Sequence, residues 1–375
     1  YPMAAELPAD PGMAIDLLQK GQFADVAIAA DGAVSFGDEQ ADFWQMADSG
    51  SLRLLSSDAS VTLAASVRGA NGQVEMRSKE WGGRLGPKTS GEVRVAAGVH
   101  VDLSGRFVNQ ALGGRPLDTS ATAGGSFEAI GYGVTLGQDS LVDVSGGGQV
   151  STSGHFTGAD AGGITLADVT VEANATQPTL ILGGALHGFS AASQDGQASG
   201  GGSLSLSTHH VRISPLGEPG AMPGLVLDDS FFNRGGFSRF DVNGSMELRV
   251  VEGARVMPRV TARQAPADIA REAGGGAAEI FDPGTAAGLR PSAVSLHFSS
   301  TGAEPGHGFG RLWVGEGAVL DTGPKGGITL SADSRLHMDG TLRAAGGDVS
   351  LSVTGREAEA PNVLWVGEHA RIDVS

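Results

Sequence analysis

The sequence predicts an all-β protein, a parallel β-helix (β-solenoid) with loop and short-helix excursions, on three observations. Ten residues recur almost unchanged: "LWVGEGAVLD" at 312–321 returns as "LWVGEHARID" at 364–373, and "VRVAAGVHVD" at 93–102 and "VTLGQDSLVD" at 134–143 follow the same rule. Short apolar alternations broken by Gly, Asp, Asn and Ser fill most of the chain, the period-two mark of half-buried strands closed by turns. Sixty glycines in 375 residues, with only 5% aromatic residues, leave little side-chain volume for a compact core and suit a backbone-paired repeat.

Taken in order, residues 1–23 form an entry segment, where Ile15, Leu17 and Leu18 fall near helical spacing before Gly21 interrupts a short helix. From residue 24 the texture is that of strands. In the four copies, positions one, three and nine are apolar and small or polar residues lie between, which describes a strand, a bend and a second strand of one coil. Val95, Leu136, Val314 and Val366 are therefore expected in inward columns. The copies start 41 residues apart in the first pair and 52 in the second, expected to span two coils of roughly 20 to 26 residues in each case. Regular coiling throughout would give about 15 coils and a rod on the order of 70 Å long, shortened by any insertion. Residues 261–292, Ala-rich around a triple glycine, read as a loop insertion with a short helix near Pro266 to Glu272. The glycine-rich piece at 190–203 reads as a smaller excursion, and neither marks a domain boundary. Residues 1–375 are expected to form a single β-helical segment of a larger protein, because "IDVS" stops where other copies run on into glycine.

Asp and Glu outnumber Lys and Arg by 42 to 25, and the net charge of −17 disfavours nucleic acid and anionic membrane as partners. The absence of cysteine removes disulfides and thiolate metal sites and suits a chain that crosses membranes unfolded. No run is apolar for long enough to span a bilayer, and any signal peptide is expected to lie outside this sequence.

The recurring carboxylates Asp102, Asp143, Asp321 and Asp373 precede Ser, Thr or Gly turns, and alternation places them on the outer surface, accepting hydrogen bonds from turn N–H groups. On that reading Asp143→Asn alters stability little. His209 and His210, adjacent on a strand, are expected on opposite faces and so hold no common metal. His307 and His337 are isolated in sequence and read as surface or turn residues. "GHGFGR" at 306–311 fails as a dinucleotide loop because a strand, not a helix, follows it. Trp313 and Trp365 share one outward slot, where cover by an excursion is favoured over stacking on a sugar. No two acids stand out as the pair a glycosidase needs. No catalytic, cofactor-binding or metal-ligating residue is assigned, and a non-enzyme is expected.

"SFFNRGGFSRFDVNGSMELRVVEGARVMPR" at 230–259, together with "DVSGGG", "GGSLSLST" and "GGDVSLSV", resembles the filamentous haemagglutinin family of large bacterial exoproteins, specifically a region of unknown function in its glycine-rich members. The likeness is best over 91–260 and 311–375 and poor at 261–292. It implies a right-handed parallel β-helix, Sec export, and passage through an outer-membrane transporter in two-partner secretion to the bacterial cell surface. The secretion domain such a transporter recognises is not evident, and no functional residue carries over. The expected function is a structural and adhesive segment meeting a receptor or glycan on host or neighbouring cells. The alternatives are a stalk segment of a contact-dependent toxin-delivery protein and a polysaccharide-active β-helix enzyme.

Overall fold

The computed structural model describes residues 23–37, 43–57, 59–78, 91–112, 118–169, 179–193, 196, 199–217, 224–266, 268–272, 274–276, 292–301, 310–355 and 362–375. Within them the protein is a parallel β-helix, as the sequence predicts, and its only helical turns are the 3₁₀ segments Asp229–Asn233 and Ile269–Arg271. The expected helix at 12–23 lies outside the described residues apart from Phe23, as do His307 and most of the "GHGFGR" stretch.

The first wall is a run of ten strands from Asp25–Ala30 to Asp348–Val353, each parallel to the next. Every strand offers alternate side chains to the interior, so equivalent residues stack into files. One file runs Val26, Leu52, Val74, Phe127, Ile164, Leu204, Phe240, Leu296, Ile328, Val349 without a polar member. Burying each such side chain stabilises by roughly 1.5–3 kcal/mol. Ten levels at about 4.8 Å per strand make this wall roughly 40 Å long, well short of the fully coiled 70 Å, because excursions consume chain.

The two halves close the coil differently. In the first, five short strands from Val34–Phe36 to Leu180–Leu182 make the second wall, and five from Phe43–Gln45 to Ala185–His187 make the third. In the second, Ser203–Ser214 and Arg239–Val250 each bend around the corner, so the second wall continues in the same sheet through Arg311–Val314, Arg335–Met338 and Val363–Val366. There the third wall is Arg255–Val256, Val319–Asp321, Thr341–Arg343 and Arg371–Asp373.

Register corrects the coil count. Val93 and Val134 are direct neighbours, so the first pair of copies is one coil apart and its 41 residues include an excursion. Leu312 pairs with Leu336 and Leu336 with Leu364, so the second pair is two coils apart, of 24 and 28 residues. The intervening copy hides in "LHMDGTLR", two residues shorter at the bend and with Arg343 where the others have Asp. Val95, Leu136 and Val314 are fully buried as expected, whereas Val366 is 51% exposed because no described coil covers it.

The described part of the insertion at 261–292 folds back along the rod. Arg263–Gln264 pairs with Ala191–Ala192, and Gly275–Gly276 pairs antiparallel with Arg106–Phe107. The short helix expected near Pro266 to Glu272 is the 3₁₀ turn Ile269–Arg271. Asn109 donates to the carbonyls of Ala270 (3.0 Å) and Glu272 (2.9 Å), and Phe107, Val150, Phe156, Ala191 and Ile269 form a second, smaller core between the excursions and the rod.

Candidate functional site

The repeated turn is closed by the same hydrogen bond in each copy. The residue after the bend donates its N–H to a carbonyl three residues back, as from Ser140 to Gly137, Ala318 to Gly315 and Ala370 to Gly367. Gly98, Asp139 and Gly317 occupy one turn position with φ of +71°, 57° and +69°, a left-handed conformation that Gly and Asp tolerate best. The recurring Asp then accepts the N–H two residues on: Ser104 to Asp102 at 3.1 Å, Ser145 to Asp143 at 2.8 Å, Gly323 to Asp321 at 2.9 Å and Ser375 to Asp373 at 3.1 Å. This is the turn role the sequence predicts.

Asp143 departs from the expected outer-surface position. It is 3% exposed, because the excursion carrying Arg263 lies over it, and Arg263 Nη2 donates to its Oδ2 at 2.7 Å. His187 Nδ1 approaches the same oxygen at 3.8 Å. Burial pushes the Asp143 carboxyl up, but the His187 ring, the Arg263 guanidinium and the Ser145 donors together outweigh it and hold the group well below the usual carboxylate range. The Phe189 ring lies 5.5 Å from the guanidinium carbon, while Arg263 Nε and Nη1 have no hydrogen-bond partner among the described residues. The ion pair locks an excursion to the third wall.

Trp313 and Trp365 point outward as expected, but among the described residues no excursion covers them. Residue register places His337 between them, and the three rings stack with centroids 3.8 Å apart at each step, at interplanar angles of 8° and 26°. Arg249 extends the ladder, its guanidinium carbon 5.6 Å from the Trp313 ring. The indoles remain 40% and 42% exposed. Burial between the rings pushes the His337 imidazole down, against the pull of Asp339. Sequence reading set His337 aside because its copy was unrecognised; the signal was an apolar residue on each side of it, Leu336 and Met338.

His209 and His210 sit at a corner rather than within a straight strand. Strand Ser203–Ser214 turns the corner here, inward positions passing from Thr208 to Val211, and a bulge sets His209 against Ser245 and Met246. Neither histidine is in the core, and His209 Nδ1 lies 2.9 Å from Ser245 Oγ. Near the ladder, Glu316, Asp339 and His369 bring one potential ligand atom each within 4.8 Å of one another. Asp339 Oδ1 already accepts the His369 backbone N–H at 3.1 Å, which gives that carboxylate a turn-holding role.

Among the described residues one face of the helix is open. Between Leu180–Leu182 and Leu225–Asp228 lies a cleft of about 1120 Å³ whose lining reaches the core residues Leu204 and Phe237. Its rim carries Asp139, His187, Asp228 and Arg234, and Arg234 is tied back to Asp228 (3.1 Å to each oxygen) and Ser230 (2.7 Å).

No protein-family model, curated protein or solved structure matches the chain.

Proposed function

We propose that the chain is a structural and adhesive β-helical segment of a secreted, cell-surface exoprotein of the filamentous haemagglutinin kind, exported through an outer-membrane two-partner transporter. The observation that carries the reading is the ladder Arg249–Trp313–His337–Trp365, a rigid file of cationic and aromatic edges held in the open by the coil register. Aromatic edges and a guanidinium on a preorganised wall lose little entropy on contact with a receptor or glycan. Cysteine-free coils that stack on their predecessors also suit folding after export, since solenoids propagate by nearest-neighbour contacts.

Labelled protein applied to mammalian and bacterial cells and to immobilised neutral and acidic glycans tests this. Saturable binding that drops at least tenfold in the Trp313→Ala/Trp365→Ala variant is expected. Binding unchanged by that pair removes the ladder as the contact surface, and reproducible release of oligosaccharides from any glycan overturns the non-enzyme reading.

A further inference from the structure

The cleft is a gap of a particular kind. On the first wall Gly163–Asp168 and Ser203–Ser214 pair directly, so the rod is continuous there. On the second wall the chain lays down an extra strand, Leu225–Asp228, which among the described residues pairs with Val211–Ser214 on one side only. Among the described residues Leu180–Leu182 likewise pairs with Val134–Leu136 on one side only, and the two edges, each parallel to its own neighbour, do not pair with each other. Leu180 and Leu182 continue the inward files of Val134 and Leu136, while Leu225 and Leu227 continue those of Val211 and Ile213. Between them the outward residues Ile181 and Val226 are apolar and stand 45% and 39% exposed.

We propose that this slot takes an extended peptide strand from a partner protein, with three consecutive apolar residues and basic flanks. A strand entering between these two edges gains backbone hydrogen bonds on both sides, the mode of β-strand addition. Its first and third residues meet the Leu180/Leu225 and Leu182/Leu227 files, and its second packs outward between Ile181 and Val226, which requires an apolar side chain at all three. The rim carboxylate of Asp139 and the net charge of −17 favour lysine or arginine at the ends. A sugar fits less well, because the two strand edges that bound the cleft present the aliphatic side chains of Leu180, Leu182, Leu225 and Leu227, and Arg234, the rim guanidinium, is spent on Asp228 and Ser230. The inference goes beyond the adhesive reading and uses none of the ladder residues.

The test is fluorescence anisotropy of a labelled KTVIVTK peptide with the intact protein. Saturable binding is expected, weakened at least about tenfold when the central residue is N-methylated, since that removes a strand hydrogen bond and opposes the extended pairing. The Ile181→Lys/Val226→Lys variant, whose changes lie at exposed positions and should leave the thermal melt intact, is expected to lose binding to a similar extent. Absence of binding, binding indifferent to N-methylation, or binding retained in the folded double variant overturns the proposal. Displacement of the peptide by neutral oligosaccharides also overturns it, assigning the cleft to glycan instead. Ladder variants should bind the peptide normally, so failure here and failure of the adhesive reading are separable.

Discussion

The copies at 134–143 and 312–321 spell the same turn and live in different surroundings. Both bury positions one, three and nine, and both use the closing Asp to hold the N–H two residues on. Yet Asp143 is sealed beneath an excursion and paired with Arg263, whereas Asp321 is only half-buried. The repeat therefore sets the backbone, and what is laid over it sets the energetics of each residue. The copy at 364–373 makes the same point from the other side: its backbone is regular, but its inward residues Leu364, Val366 and Ile372 are half exposed.

The largest break in this comparison should come from Val314→Asp, which puts an unpaired carboxylate between Val250 and Met338 and should destabilise by about 4 kcal/mol or more. Val366→Asp, at the equivalent exposed position, should cost less than about 1 kcal/mol; equal shifts in circular-dichroism melts would contradict the register.

Next is Asp143→Asn, for which the sequence alone suggested little effect. Removing the charge leaves Arg263 buried without its carboxylate, a loss of about 3–5 kcal/mol, against about 0.5–1.5 kcal/mol for Asp321→Asn. The sign with pH follows from a depressed carboxyl: its contribution is complete above pH ~4 and is lost as pH falls below that value. Melts of parent and Asp143→Asn should converge under acid conditions.

The smallest effect sharpens the ladder. The folded state favours neutral His337, so the unfolded chain binds the proton more readily and stability drops as pH falls below about 6.5. Between pH 7 and 5 melts of His337→Phe should show a smaller loss of stability than those of the parent, because His297, raised by Asp241, contributes with the opposite sign in both, and indole fluorescence of the parent should change over the same range.

Much of the fold was legible because period-two alternation and a fixed turn are local signals. The inward files through Val95, Leu136 and Val314, and the turn role of Asp102, Asp321 and Asp373, needed nothing beyond spacing. The coil count did not follow, because spacing between copies does not say whether an excursion or a degenerate copy fills the interval. The ladder was half visible: two tryptophans in one slot were read, but the imidazole between them sat in a copy shortened at its bend. Neither the clamp on Asp143 nor the cleft had any local sign.

By itself, then, the chain specified a coiled all-β rod, its inward residues and its turn chemistry, since these depend on contacts between a residue and its near neighbours along the strand. Only the tertiary structure decided which coils adjoin, that an arginine 120 positions downstream would neutralise Asp143, and where the wall stays open. Those outcomes depend on where excursions return to the rod, and the free energy of that return is shared among residues far apart in sequence.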